Sequence, residues 1–385
     1  QSTPIRSEYE EYVHQLVMNS KDPNHLRFQE SRTNPKPPSA VKKNHFEETK
    51  DRILARYEYN QIHRPKIVPT PPNEKDLPWD NLYNVLNEWN PDNPEIPENF
   101  QERLQHFNYG DPYERSLAEA YRNAEIPFKL YNVTEFNEIS FKWDEKYLES
   151  SISNMKTTGH VEKSKDNHFM FWRSVNKRLK NYEPPTEIIH NVNFPKYLKI
   201  AKQADIEKWN TSKEHYYFML GVPPHDHHYF IGKDLTSFSS TKANFFITNP
   251  TANKGIQCRF GMRGVIAECH YDSGKNMVAM LHGQKRYIIT PPWSCPYLGI
   301  IADPKHPSYR HSIIDWSDLN QAKANKFDEA DAIDTVLHVG EVLYIPSFWF
   351  HYIVSLEYSI QCNSRSGFPP GRKGYNYIEQ CFKNQ

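Results

Sequence analysis

Three residues of this sequence have the types and spacing needed to bind one metal ion. His270 and Asp272 are separated by a single residue, and His351 lies far downstream, after a β-like run that begins at Gly340. Alternate residues of a strand point to the same side, so His270 and Asp272 could reach one ion together. Two imidazoles and one carboxylate are the ligand set of non-heme Fe(II) oxygenases, because they leave one side of the iron open. The pattern therefore predicts an iron site.

The His-x-Asp triplet is not specific by itself, since a chain with 18 histidines contains roughly one by chance. Its context is a region of short β-like runs separated by turns, several of which carry glycine, such as Gly264 and Gly283. The runs include 216–220, 244–248, 256–262, 277–281, 285–290, 335–339, 342–345, 352–355 and 358–362. Many short strands at this spacing are typical of a β-sandwich or barrel.

Residues 1–125 have a different pattern, with helical stretches broken by proline-rich linkers. The predicted helices are Glu8–Val17, Phe46–Tyr57, Pro78–Trp89 and Pro112–Ala124, and the linkers include 35–38, 69–72 and 91–97. Proline removes a backbone donor and fixes the backbone, so long helices cannot cross these linkers. The sequence therefore predicts an N-terminal helical region, followed by an entry strand at 127–131 that leads into the β region.

Composition excludes several classes of protein. Lys plus Arg equals Asp plus Glu at 47 each, so there is no overall basic field to attract nucleic acid. A mean hydropathy of −0.82 and the lack of a long apolar run predict no membrane span in this chain.

The five cysteines lie in the last third of the chain and form no Cys-x-x-Cys pair, which argues against a zinc ribbon. A disulfide framework would leave one thiol over, and buried, inert thiols are the expectation for most of them. Because the sequence starts at Gln1, a targeting segment could have preceded it. The glycosylation triplets at Asn132 and Asn210 favour the secretory pathway only slightly, and the compartment stays open.

Three segments around the predicted iron site resemble the JmjC family of cupin-fold Fe(II)/2-oxoglutarate oxygenases. They are 270–276, 283–292 and 340–351, and the resemblance covers about residues 126–367. It is closest to the hydroxylase branch typified by the asparaginyl hydroxylase that acts on hypoxia-inducible factor. The resemblance implies a double-stranded β-helix (jelly-roll) oxygenase domain at 126–367, with an insertion at 293–333 that could rim the substrate. Residues 1–125 and the tail 368–385 would flank this domain.

The resemblance also implies roles for individual residues. His270, Asp272 and His351 match the iron ligands, and Lys285 matches the lysine that pairs with the far carboxylate of 2-oxoglutarate. Asn276 and Asn363 match two amides beside the metal and the oxoacid, and Tyr217 matches a tyrosine whose hydroxyl supports the cosubstrate carboxylate.

One position departs from the family pattern. Ala267 stands where the closest relatives usually have a threonine, so one hydrogen bond to the cosubstrate is missing or comes from elsewhere.

Several residues have a structural alternative. Lys285 could instead lie on an exposed strand face with Arg286 pointing the other way, and Asn363 could be a polar strand end. The histidine-rich stretch 225–228 is expected to be a solvated loop more than a second metal cluster. His306, His311 and His338 are expected to be structural.

The implied reaction uses Fe(II), 2-oxoglutarate and dioxygen, hydroxylates a protein side chain or a small molecule, and releases succinate and CO2. Two alternatives stay open: an N-methyl-lysine demethylase, and a non-catalytic cupin that serves as an interaction module. The demethylase ranks lower because the sequence has no zinc-finger Cys/His cluster and no basic face. The partner is then a protein, peptide or small-molecule substrate, and the oligomeric state is left open.

Overall fold

The computed structural model describes residues 43–155, 159–172 and 183–383. The predicted helix Glu8–Val17 and the linker 35–38 lie outside these ranges. The strands of the described residues are β1 Asp80–Asn81, β2 His106–Asn108, β3 Phe128–Tyr131, β4 His160–Ser164, β5 His168–Phe169, β6 Glu187–Ile189, β7 His215–Val222, β8 Ile256–Gly261, β9 Ile266–Tyr271, β10 Asn276–His282, β11 Gln284–Thr290, β12 Asp331–His338, β13 Val342–Ile345, β14 Phe350–Ser355 and β15 Ser359–Arg365.

Along the chain, helices precede, separate and follow the strands. They are α1 His45–His63, α2 Leu82–Glu88, α3 Pro112–Ala124, α4 Thr134–Lys142, α5 Glu145–Ser153, α6 Phe194–Ile206, α7 Phe230–Asp234, α8 Thr236–Ser239, α9 Leu319–Ala324 and α10 Tyr375–Lys383. Single 3-10 turns lie at Glu74–Asp76, Pro250–Ala252, Pro292–Tyr297, Phe327–Glu329 and Pro370–Arg372.

The strands form two sheets, which confirms the prediction of a mainly β sandwich or barrel. The smaller sheet has the order β1-β12-β11-β14-β9-β5, and the larger has the order β2-β3-β13-β10-β15-β8-β7-β4-β6. Strand β14 is buried along its whole length, as expected for a strand with a partner on each side and covered faces. In β8 the burial alternates, so that Gln257 and Arg259 point to the opposite side from Ile256 and Cys258.

The predicted helices at 46–57 and 112–124 are confirmed as parts of α1 and as α3. Helix α1 starts with a capping box formed by Asn44 and Glu47. Helix α3 starts after Asp111, whose side chain accepts from two backbone amides, and has proline in its first turn.

The predicted helix 78–89 is shorter in the structure. Asp80 and Asn81 form strand β1 against β12 instead, and the Asn81 side chain then caps α2. The entry strand predicted at 127–131 is confirmed as β3, and β2 pairs with it in parallel. Strands β1 and β2 show that residues before 126 add to both sheets. The division of the chain at residue 125 stays a prediction.

The strand predicted at 244–248 is wrong. The Asn244 side-chain oxygen accepts from the amides of Phe246 and Ile247, and the Asn244 amide donates to the Ile247 carbonyl. An asparagine that bonds to its own following backbone makes a turn and withdraws these groups from a ladder.

The expectation of inert thiols is wrong for four of the five cysteines. Cys258 and Cys362 lie opposite each other on β8 and β15 and form a disulfide, and a second disulfide joins Cys295 to Cys381 of α10. Cys269 is the buried thiol left over. The pairing depends on strand register and on the position of the C-terminal helix, neither of which cysteine spacing reveals.

Candidate functional site

The structure brings His270, Asp272 and His351 together at one point between the two sheets. His351 on β14 lies directly opposite His270 on β9, and Asp272 follows the end of β9. One ligand atom from each residue lies within 4.8 Å of the other two, and His351 Nε2 is 3.8 Å from Asp272 Oδ2. Among the described residues this is the single cluster of three or more His, Cys, Asp or Glu side chains placed to hold a metal ion.

Backbone carbonyls orient both imidazoles. His270 Nδ1 lies 2.7 Å from the Glu268 carbonyl oxygen, and His351 Nδ1 lies 3.2 Å from the Trp349 carbonyl oxygen. Because a carbonyl only accepts, each Nδ1 carries the hydrogen and each Nε2 keeps a free lone pair for a metal. Burial lowers the pKa of both histidines, which keeps the imidazoles neutral.

Arginines hold one side of the Asp272 carboxylate. Oδ1 accepts from Arg365 Nη1 and lies 3.8 Å from Arg310 Nη1, whereas Oδ2 faces His351 and the Asn276 amide, 3.5 Å away. Burial favours the protonated form of Asp272. The surrounding charges, of which Arg365 contributes most, together outweigh burial, and the pKa of Asp272 is held well below its usual range. One oxygen is thus fixed by arginines while the other faces the two imidazoles.

The cavity beside the triad has a volume of about 200 Å³ and is lined by both sheets. Asn276 and Asn363 line it and contact each other, since Asn363 Nδ2 donates to Asn276 Oδ1 at 2.9 Å. Tyr217 lines its far part. The structure therefore places Asn276 beside Asp272 and Asn363 beside Asn276, and it buries both, which argues against Asn363 as an exposed strand end.

Lys285 is completely buried, so the alternative of an exposed surface lysine is wrong. Its Nζ lies 3.5 Å from the Tyr217 hydroxyl and 5.2 Å from the centre of the Tyr217 ring. No carboxylate of the described residues forms an ion pair with it. Burial, with the nearby charge of Arg259, lowers the pKa of Lys285 to about 7. A buried cation without an anionic partner is costly, which indicates a site that an anionic ligand completes.

Arg286 points away from Lys285, as expected, but it is also buried. It binds Asp334 and the backbone carbonyls of Val85 and Trp89. The two neighbouring cations therefore differ: Arg286 is fully partnered by protein groups and Lys285 is not.

Sequence reasoning missed several residues of this site. Arg259, Arg310 and Arg365 line the cavity, and no local pattern marks them. His311, expected to be structural, also lines the cavity, and its ring stacks on His270 with centroids 4.9 Å apart. It comes from the insertion, which pairs with β9 at His270. His338 is half-buried and does not line the cavity, and its backbone amide donates to the Glu341 carboxylate.

The stretch 225–228 is a turn, as expected. The Asp226 carboxylate accepts from the amides of His228 and Tyr229, and the side chains of His227 and His228 are exposed.

Comparison with known proteins assigns the chain to a family. The family model described as "Cupin-like domain" matches residues 114–364, more than half of the chain, and this protein belongs to that family. The predicted cupin core and the JmjC resemblance are thereby confirmed. The predicted similarity to the hydroxylase-like branch is consistent with these matches.

Individual relatives match over shorter stretches. HSPB1-associated protein 1 of Rattus norvegicus is 33% identical over 25% of this chain and 20% of its own length. The tRNA wybutosine-synthesizing protein 5 of Gallus gallus is 28% identical over 27% and 31%, and Lysine-specific demethylase JMJ30 of Arabidopsis thaliana is 28% identical over 28% and 24%. The matched stretches thus span less than a third of each relative. No helix of the described residues is long and apolar enough to cross a membrane.

Proposed function

We propose that this protein is an Fe(II)- and 2-oxoglutarate-dependent oxygenase of the hydroxylase type. One observation carries the proposal: a triad of two neutral imidazoles and one ionised carboxylate opens on a cavity lined by Tyr217, and the Tyr217 hydroxyl lies 3.5 Å from the buried Lys285, which has no anionic partner among the described residues. The donor set fits Fe(II), and the buried cation fits the far carboxylate of an oxoacid.

In this proposal the chain's own residues orient the reactants. His270, Asp272 and His351 hold the metal, and the carbonyls of Glu268 and Trp349 fix the imidazole tautomers. When bound, the metal with 2-oxoglutarate and dioxygen supplies an oxidation that releases succinate and CO2 and hydroxylates the substrate.

Other residues of the cavity complete the site. Lys285 and Tyr217 anchor the oxoacid, and Asn276 and Asn363 line the space beside the metal.

The alternatives have less support. A demethylase is suggested by the name of one relative, but four cysteines are used in disulfides, and the chain has no net charge of either sign to favour basic histone tails or anionic tRNA. A non-catalytic cupin would have no reason to keep both an intact triad and a buried lysine without an anionic partner. The substrate is accordingly proposed to be a protein side chain or a small molecule.

The decisive experiment measures metal-dependent binding and turnover in the same protein. Purified protein with Mn(II) and 2-oxoglutarate should show a rise in melting temperature, and with Fe(II) it should release succinate from 2-oxoglutarate. His270→Ala and Asp272→Ala should lose both signals, whereas the matched control His227→Ala, an exposed histidine, should keep them. Wild-type protein that binds no oxoacid in the presence of metal would contradict the proposal.

We further infer that the protein folds in an oxidising compartment, because stable disulfides are rare where glutathione keeps thiols reduced. The Cys258–Cys362 disulfide joins strands β8 and β15. The Cys295–Cys381 disulfide joins the 3-10 helix Pro292–Tyr297 to the C-terminal helix α10. Thiol labelling of protein from its native source, denatured without reductant, should find Cys269 alone. Labelling of all five cysteines would contradict this inference.

A further inference from the structure

Arg259 lies on the cavity side of β8. Its neighbours across the sheet are Met219 on β7 and Gln361 on β15, and all three residues line the same cavity. Because alternate residues share a side, the Arg259 side chain lies on the opposite face of β8 from the core residues Cys258 and Phe260.

The guanidinium of Arg259 has few protein partners. It makes one hydrogen bond, from Nη1 to the Cys258 carbonyl oxygen at 3.2 Å, and no ion pair with any described residue. An arginine carries five N–H donors and stays charged in proteins. Arg286 is a useful contrast, because its donors are used by Asp334 and two carbonyls.

The carboxylates that line the cavity are already engaged elsewhere. Glu162 accepts from Thr186 Oγ1 at 3.2 Å, and Glu268 is 2.6 Å from His168 Nδ1. Asp272 is held by Arg365. None of the three forms a hydrogen bond or an ion pair with Arg259, although the charges of Glu162 and Asp272 favour its ionised form from a greater distance.

Tyr217, which lines the cavity, links Arg259 to Lys285. The Lys285 Nζ lies 3.5 Å from the Tyr217 hydroxyl, and Arg259 lies on the neighbouring strand, two residues from Gly261, which pairs with Tyr217. The charge of Arg259 also adds to burial in lowering the pKa of Lys285. Like charges in a buried site are stabilised when an anion binds both.

We propose that Arg259 is a second anchor for the far carboxylate of the oxoacid and determines selectivity for a dicarboxylate. This rests on the proposed function. Arg259 would supply the hydrogen bonds that a threonine hydroxyl cannot supply here, because Ala267, which lines the same cavity, has only a methyl group.

The test uses the full chain loaded with Mn(II) and measures binding of two oxoacids by calorimetry. One is 2-oxoglutarate, and the other is 2-oxobutyrate, which lacks the far carboxylate. Arg259→Met should weaken 2-oxoglutarate binding by about 10-fold or more, as expected when a charge-assisted hydrogen bond is lost. Binding of 2-oxobutyrate should change little, and Arg259→Lys should recover part of the 2-oxoglutarate affinity.

Controls separate anchoring from a structural role. Mn(II) binding, followed by its electron paramagnetic resonance signal, should be the same in wild type and Arg259→Met. Arg115→Met, the same change at an exposed residue of α3, should leave both oxoacid affinities unaltered.

Three outcomes would overturn the inference. Unchanged 2-oxoglutarate affinity in Arg259→Met would remove the anchor while leaving the proposed function intact. An equal loss for both oxoacids, or a loss of Mn(II) binding, would assign Arg259 a structural role. Absence of oxoacid binding in the wild type would overturn the inference together with the proposed function.

Discussion

The molecule contains two clusters of buried charged side chains, and the two clusters differ in how their charges are neutralised. In the first, here called the Glu341 network, Glu341 accepts from Arg56 Nε at 2.8 Å and from Asn60 Nδ2 at 3.1 Å, and Lys129 Nζ is 3.5 Å away. Lys129 also binds Glu102 at 2.6 Å. In the second group, Lys285 and Arg259 both lie near Tyr217, and neither forms an ion pair with a carboxylate of the described residues.

The pKa values reflect this difference. Burial alone would raise the pKa of Glu341, but the charges of Lys129 and Arg56 outweigh it and keep the pKa well below its usual range. For Lys285, burial and the charge of Arg259 act in the same direction and lower the pKa to about 7. The buried charges that join α1 and β3 to the core are thus neutralised within the protein, whereas Lys285 and Arg259 form no ion pair with a described carboxylate, as the proposed anionic ligand requires.

The largest expected effect is on stability, at the Glu341 network. Glu341→Gln removes the anion, which leaves Arg56 buried without its carboxylate partner and Lys129 with Glu102 alone. Breaking a buried pair in this way typically costs about 3–5 kcal/mol of unfolding free energy. Urea unfolding measures the loss. Glu329→Gln, in an exposed pair with Lys326, is the control and should change stability by less than about 1 kcal/mol. A similar small change at Glu341 would contradict the description of this network as structural.

In contrast to Glu341→Gln, Lys285→Met should weaken ligand binding without lowering the stability of the protein. It removes a buried cation that has no partner, so the unfolding free energy of the ligand-free protein should stay the same or rise. Binding of 2-oxoglutarate to the Mn(II) form should weaken by about 10-fold or more, because a charge-assisted hydrogen bond is lost. A large loss of stability with unchanged oxoacid affinity would place Lys285 with the structural charges.

The stability of the ligand-free protein should depend on pH through Lys285. Its folded pKa, about 7, is below the unfolded value of 10.5, so the cost of the buried charge is fully present below pH 7. As the pH rises from about 7 towards 10.5, the folded state releases this proton before the unfolded state does, and stability rises. The difference in unfolding free energy between wild type and Lys285→Met should therefore move in favour of wild type from pH 7 to pH 9. A constant difference would contradict the lowered pKa.

The smallest expected effect is at Ala267. Ala267→Thr introduces the hydroxyl that the JmjC resemblance implies for this position, and one added hydrogen bond corresponds to about a 2- to 10-fold gain in 2-oxoglutarate affinity. The same change should partly restore affinity to Arg259→Met, measured by calorimetry. Failure to do so in both backgrounds would show that position 267 does not face the cosubstrate.

Local patterns in the sequence were enough to predict the β-rich core, the helices α1 and α3, and the cluster of His270, Asp272 and His351. These features depend on residue periodicity, capping residues and motif spacing, which are short-range properties. The strand predicted at 244–248 failed because a side chain, Asn244, competes for the backbone amides. The cysteines were misjudged because the Cys258–Cys362 pair depends on the register of two distant strands and the Cys295–Cys381 pair on the position of the C-terminal helix.

What the sequence by itself determined is the chemistry of the site: two imidazoles, a carboxylate and a lysine on strands of a β fold. The tertiary structure decided the charge balance around them. It placed Arg259 near Lys285, brought His311 of the insertion onto His270, and used the cavity carboxylates for other partners. The physical reason is that electrostatic partnership depends on distance and burial in three dimensions, and neither can be read from positions along the chain.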